Sequence, residues 1–182
     1  KANQLNIPLH GIFELTSRCN FNCKMCYIHE NCNTKKSELS LEQWLEIAKK
    51  AKEAGTLFLL LTGGEAMIRE DFIELYQKLA VMGFRIVINT NGSLFNEKIA
   101  ECFKQYPPAR INVSLYGNSE TTYEQLCGIK AYHKVIKTIE TLKEIALTQL
   151  QSTGHDEISL SSLSTSDYSK LKELIDFLIE EC

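Results

Sequence analysis

Leu57-Phe58-Leu59-Leu60-Leu61-Thr62-Gly63-Gly64-Glu65 joins five apolar residues without polar alternation to a threonine, two glycines and a carboxylate. A strand with one wet face alternates; one covered on both faces does not. The run therefore predicts a parallel strand inside an α/β fold, and its polar tail marks the C-terminal end where such folds bind ligands. Further strands are expected at Ile12–Leu15, Phe84–Ile88, Ile111–Leu115 and Ile158–Leu163. Between them, apolar residues at helical spacing predict helices through Leu41, Trp44, Leu45 and Ala48; Phe72, Leu75, Tyr76 and Leu79; Ile99, Cys102, Phe103 and Tyr106; and Leu171, Leu174, Ile175 and Leu178. A longer helix is expected over Tyr132–Leu147, and Ser40 with Gln43 forms a capping box where the first helix should start.

The expected ends of strands two, three and four fall near Thr62, Thr90 and Leu115, a spacing of roughly 25 residues that suits a minimal repeating βα unit. Each end is polar and glycine-bearing: Gly63-Gly64-Glu65, Asn89-Thr90-Asn91-Gly92 and Ser114-Leu115-Tyr116-Gly117. With right-handed crossovers these stretches should line one mouth, together with the loop after strand one. That loop holds Cys19, Cys23 and Cys26.

At 182 residues, 44% hydrophobic and 24% charged, the chain reads as one globular domain over 1–182. Its net charge of −3 gives no broad cationic field for nucleic acid or an anionic membrane, so neither partner is expected. No apolar run approaches a membrane span and no secretory leader opens the chain, although its first residue, Lys1, implies that something precedes it. A cytoplasmic location is the expectation.

Seven cysteines are an odd number, and three crowd into Cys19-x3-Cys23-x2-Cys26, which is not a disulfide framework. Clustered thiols in an ordinary globular chain point to metal ligation in a reducing compartment. Cys102, on the apolar side of its helix, reads as a small hydrophobe, as do Cys127 and Cys182. Three thiolates within eight residues can face one inorganic centre; a 4Fe–4S cube takes one cysteine per iron, so three ligands leave one iron open to a small molecule. The rival reading is a zinc-binding interaction module that uses Cys19, Cys23, Cys26 and Cys32, or His29 as the fourth ligand, with Gly63-Gly64-Glu65 only a turn. Zinc sites favour two CxxC-type pairs, and the chain has no second pair. His10, His29, His133 and His155 show no ligand spacing, Lys49-Lys50-Ala51-Lys52 reads as a solvated helix face, and Asp71 and Glu74 have no acid–base partner that would support a hydrolase.

Cys19-Asn20-Phe21-Asn22-Cys23-Lys24-Met25-Cys26-Tyr27, followed by Gly63-Gly64-Glu65 after the second strand, resembles the radical S-adenosylmethionine (radical SAM) enzymes. The resemblance covers about residues 10–182 and implies a partial (β/α)6 barrel with parallel strands. It also implies a 4Fe–4S cluster on Cys19, Cys23 and Cys26, with S-adenosylmethionine on its open iron. Gly63, Gly64 and Glu65 would then meet the methionyl amine, Tyr27 the adenine, and Thr90 and Ser114 the ribose or methionine end. The implied reaction is one-electron cleavage to methionine and a 5′-deoxyadenosyl radical that abstracts hydrogen from a substrate. An electron donor of flavodoxin or ferredoxin type is implied with it. Phe13, Phe21, Met25 and Tyr27 offer an apolar surround for the cluster, though the first two equally suit simple packing.

Residues 113–128, through Tyr116, Tyr123, Glu124 and Cys127-Gly128, look like those of family members that modify peptides or proteins, whose further domains often carry additional clusters, although Tyr116, Tyr123 and Glu124 also suit ordinary helix-start and packing roles. No cysteine-dense tail follows Leu171, and the last barrel strand expected by resemblance has no counterpart before Cys182. The chain is accordingly read as the core domain of a longer protein.

Overall fold

The computed structural model describes residues 7–28 and 38–153. Within them the chain runs β1 (His10–Glu14), α1 (Leu41–Glu53), β2 (Phe58–Thr62), a 3-10 turn (Ala66–Ile68), α2 (Phe72–Val81), β3 (Arg85–Thr90), α3 (Glu97–Gln105), β4 (Arg110–Val113), α4 (Glu120–Cys127) and α5 (Tyr132–Thr153). The strands form one parallel sheet in the order β1-β2-β3-β4. His10 lies opposite Phe58, Phe58 opposite Arg85, and Val87 opposite Arg110. Sequential parallel strands joined by helices are the repeating unit of a (β/α) barrel, and this α/β sheet is consistent with part of one. The expected fifth strand, Ile158–Leu163, and the helix through Leu171 and Leu178 lie outside the described residues, as do His29, Cys32, His155 and Cys182.

Local chemistry explains where the helices start. The Ser40 side chain accepts from Gln43 N while the Gln43 side chain accepts from Ser40 N, closing the capping box of α1. Trp44 and Ala48 on its apolar stripe are buried, and Lys50 points outward to pair with Glu46 at 2.9 Å. The chain adds α4, a helix absent from the sequence expectation. Ser119 and Thr122 form its capping box, and Gly128 ends it at φ 71°, the left-handed conformation glycine adopts without strain. Its eight residues are too short for the periodic signal that reveals a longer helix.

Among the described residues, two cores hold the fold. The larger lies between one sheet face, with Phe13, Leu59, Leu61, Ile86 and Ile88, and the helices, with Trp44, Leu75, Leu79 and Phe103. Full burial of each such aliphatic side chain stabilises by about 1.5–3 kcal/mol. Cys102 belongs to this core at 4% exposure, as a small hydrophobe would. The smaller core gathers Phe21, Tyr123, Cys127, Ala131 and Val135, and so fastens the loop after β1 to α4 and α5.

The opposite sheet face differs from the expectation that β2 is covered on both sides. Burial alternates along β2, with Leu59 and Leu61 buried while Phe58, Leu60 and Thr62 are half-buried, and Ile12 on β1 is 66% exposed. This face bears a groove of about 320 Å³ lined by His10, Ile12, Phe58, Leu60, Val87 and Asn89. The physical reason is that the described helices pack on the other face of the sheet.

Candidate active site

The loop after β1 is fastened to the tail of β2 by its backbone. Leu15 N donates to Thr62 O at 2.9 Å, Gly64 N to Thr16 O at 2.8 Å and Glu65 N to Arg18 O at 2.8 Å. A Cβ on Gly63 would lie 2.3 Å from Thr16 O, and one on Gly64 2.2 Å from Arg18 O. Gly63 also sits at φ 136°, where side chains are strained. Both glycines are therefore required for two stretches of backbone to run together. Sequence reasoning expects the two glycines to let a ligand approach closely; in the structure it is the cysteine loop that occupies this close approach.

Glu65 is 0% exposed. Its carboxylate accepts from Asn91 N at 2.7 Å, from Thr90 Oγ1 at 2.9 Å and from Met67 N at 3.1 Å. Burial pushes its carboxyl group above the ordinary range, against the opposing pull of these hydrogen bonds. Sequence reasoning aims this carboxylate at an ammonium group; in the structure it binds the protein's own donors and ties the tail of β2 to the end of β3. Thr90 takes part in the same tie, because its hydroxyl also accepts from Gly92 N at 3.0 Å.

Cys19, Cys23 and Cys26 are half-buried on one loop. Two donors converge on the Cys19 sulfur, Phe21 N at 3.4 Å and Asn91 Nδ2 at 3.9 Å. Cys23 packs beside the buried Cys127, and the hydrogen bond between these thiols, with burial, holds Cys23 above the ordinary thiol range. Asn22 N and Lys24 N donate to the carbonyls of Cys127 and Leu126, at 3.0 and 2.9 Å, so the end of α4 is a second fastening for the loop. Among the described residues, no three His, Cys, Asp or Glu side chains gather around a single-ion site.

The remaining expected residues are placed as follows. Tyr27 is 79% exposed, just past Cys26. Ser114 follows β4; its N–H donates to Thr90 O at 2.9 Å, and its carbonyl accepts from the Tyr123 hydroxyl at 3.1 Å. Thr90 and Glu65 are thus directly joined, Ser114 adjoins Thr90 through backbone, and Tyr27 shares the cysteine loop.

Arg69 carries no signal in the sequence, and the bonds that Asn91 and Cys127 make to the cysteine loop are not foreseen from the stretches that contain them. Arg69, only 6% exposed, donates to both carboxylate oxygens of Asp71 at 2.8 and 2.7 Å and to Leu15 O at 3.2 Å. It also reaches Glu38 at 3.4 Å, and Glu38 in turn holds Arg18 at 2.7 Å. The signal for Gly128 was a helix C-cap glycine; Asn91 before Gly92 carried only a turn signal.

The Radical SAM superfamily model matches residues 13–163. A protein from Saccharolobus islandicus (strain M.14.25 / Kamchatka #1) described as "Probable GTP 3′,8-cyclase" is 36% identical over 146 residues, which are 79% of this chain and 47% of that protein. One of the same description from Sulfolobus acidocaldarius is 34% identical over 138 residues, 75% of this chain and 44% of its own length. The chain thus spans about half the length of the curated relatives it matches. Among solved structures, Streptococcus suis SuiB bound to precursor peptide SuiA superposes with a TM-score of 0.68 at 20% identity, over 79% of this chain and 33% of that one. Native anSMEcpe with bound AdoMet does so with a TM-score of 0.62 at 19% identity, over 75% and 41%. At such identities the likeness is one of fold. With the family model spanning most of a domain whose cysteine loop lies on the tail of β2, this chain belongs to the radical SAM superfamily, a class of enzymes.

Proposed function

We propose that this domain is the cofactor-binding core of an enzyme that carries a 4Fe–4S cluster on Cys19, Cys23 and Cys26 and cleaves S-adenosylmethionine reductively, with a peptide or protein as the substrate attacked. The observation that supports it best is the fastening of one three-thiol loop to the Gly63-Gly64-Glu65 tail at the C-terminal mouth of a parallel sheet. The chemistry of the donor set suits the group, since three half-buried thiols on one loop are the ligand type that iron–sulfur clusters take. Membership in an enzyme class sets aside the zinc-binding interaction module.

When bound, the cluster would supply the one-electron chemistry that cleaves S-adenosylmethionine for hydrogen abstraction from a substrate. The chain's residues supply placement. Cys19, Cys23 and Cys26 hold the iron. The backbone of Gly63 and Gly64 offers the methionyl amine its acceptors, while Glu65 and Thr90 keep that backbone in position. Tyr27 would meet the adenine, and Ser114 would offer a hydroxyl to the ribose or the methionine carboxylate. Phe21, buried against Tyr123, shields the loop from water. A flavodoxin or ferredoxin type of donor delivers the electron. Among the described residues no helix is long and apolar enough to cross a membrane, and the cytoplasm is the proposed location.

The peptide reading is supported by the resemblance of residues 113–128 and by the groove on the open sheet face, where apolar side chains lie beside the amides of Asn89 and Asn112. A second reading, a guanine nucleotide substrate, is favoured by the name of the curated relatives. Anaerobic reconstitution should give about four irons and four sulfides per chain. Dithionite and S-adenosylmethionine should then yield 5′-deoxyadenosine by mass spectrometry, and none with Cys23→Ala. Product from that variant, or no cluster in the parent chain, overturns the proposal. Stimulation by GTP but not by peptides would replace the first substrate reading with the second.

A further inference from the structure

Asn91 is 8% exposed and lies at the junction of the cysteine loop and the Glu65 tie. Its N–H is bound to Glu65 Oε2 at 2.7 Å. Its side-chain oxygen accepts from Ser93 N at 2.9 Å and Ser93 Oγ at 2.7 Å. A backbone N–H can only donate, so the Ser93 contact fixes which end of the amide is oxygen and turns the nitrogen toward the cysteine loop. That nitrogen has two hydrogens and two acceptors, Asn20 Oδ1 at 3.0 Å and Cys19 Sγ at 3.9 Å. Asn20 is oriented in turn by its own donation to Ser93 Oγ at 2.8 Å. Asn20, Asn91 and Ser93 thus close a ring of side-chain bonds, and the second hydrogen of the Asn91 amide is left within reach of the Cys19 sulfur.

A thiolate that ligates iron gains negative charge when its cluster is reduced, and an N–H donor aimed at that sulfur stabilises the reduced form more than the oxidised one. We infer that Asn91 is a positioning residue for the cluster: it seats the Cys19 sulfur and raises the reduction potential through its amide hydrogen. The inference rests on the proposed cluster-binding function. It makes the end of β3 part of the redox site, with Glu65 acting through Asn91 as well as through the backbone of its own turn.

The test compares Asn91→Asp, which keeps an oxygen facing Ser93, loses the donor and adds a negative charge, with Asn20→Asp, which adds the same charge beside Cys19 and keeps the oxygen that accepts from Asn91. Both reconstituted chains and the parent are poised at a series of potentials and read by electron paramagnetic resonance. In Asn91→Asp the ratio of reduced to oxidised cluster at a fixed poise should fall about tenfold further than in Asn20→Asp, or 59 mV for one electron. An Asn91→Asp shifted no further than Asn20→Asp overturns the inference while leaving the functional reading intact.

A second arm needs no cluster. In the metal-free chain labelled at asparagine nitrogen, Cys19→Ala should move the Asn91 side-chain amide resonance and Cys26→Ala should not. An Asn91 resonance indifferent to Cys19 overturns the contact even if Asn91→Asp fails to take up iron. A parent chain that forms no cluster fails the functional reading first, with this arm still deciding the contact.

Discussion

The α-carbon of Gly64 faces the carbonyl oxygen of Arg18 so closely that a methyl group placed on it would lie 2.2 Å away. Neither partner can yield cheaply, since both are backbone and their neighbours are hydrogen-bonded to each other. Gly64→Ala should therefore displace the cysteine loop from the tail of β2. The expected result is at least a halving of iron bound on reconstitution, together with a lowered melting temperature. Iron content and melting at parental values would show that the loop does not depend on this approach.

The hydroxyl of Thr90 serves Glu65 on one side and Gly92 N on the other. Thr90→Val preserves shape and deletes both bonds, leaving a buried N–H unsatisfied and the Glu65 carboxylate one donor short. A buried group left without its partner costs about 1–3 kcal/mol. Urea denaturation of the metal-free chain should show a loss of that size, with the urea dependence of the free energy unchanged.

Glu38 titrates with a definite sign. The Arg18 guanidinium beside it, assisted by Thr16 and Arg69, holds its carboxyl group below the ordinary range despite partial burial. The stability from this pairing is fully present above the unfolded value, about pH 4.3, and is lost as pH falls through the lower folded value. The stability difference between the parent and Glu38→Gln should thus be constant at neutral pH and shrink in acid. Glu65, raised by burial, contributes in the opposite sense: its penalty is absent in acid and grows as pH rises through its folded value. A difference measurement against Glu38→Gln isolates one from the other, and a gap that widens in acid would contradict the Glu38 assignment.

Tyr27, at 79% exposure, contributes almost nothing to the core. Tyr27→Ala should leave the melting temperature within about 1 °C of the parent. If the ring lies against adenine, the variant should weaken S-adenosylmethionine binding by about 0.5–1.5 kcal/mol, the range for an aromatic contact. Calorimetric titration of the reconstituted protein reads this directly, and equal affinity would remove Tyr27 from the cofactor site.

What could be read along the chain was local and repetitive. The apolar run at Leu57–Leu61 yields β2 because hydrophobic patterning is written residue by residue, and Ser40 with Gln43 starts α1 because both halves of a capping box lie three positions apart. The thiol spacing of Cys19, Cys23 and Cys26 is likewise contained in eight consecutive residues. The roles of Gly64, Glu65 and Asn91 were not readable, since each depends on a partner 26 to 72 positions away: Glu65 meets Asn91, and Asn91 meets Cys19. Whether a buried carboxylate faces a ligand or a neighbouring strand is set by which backbone donors the folded sheet brings within 3 Å of it, and no periodicity encodes that distance. The same holds for the open face of β2, where an unbroken apolar run reports burial in general, while only the folded sheet decides which side packs on helices.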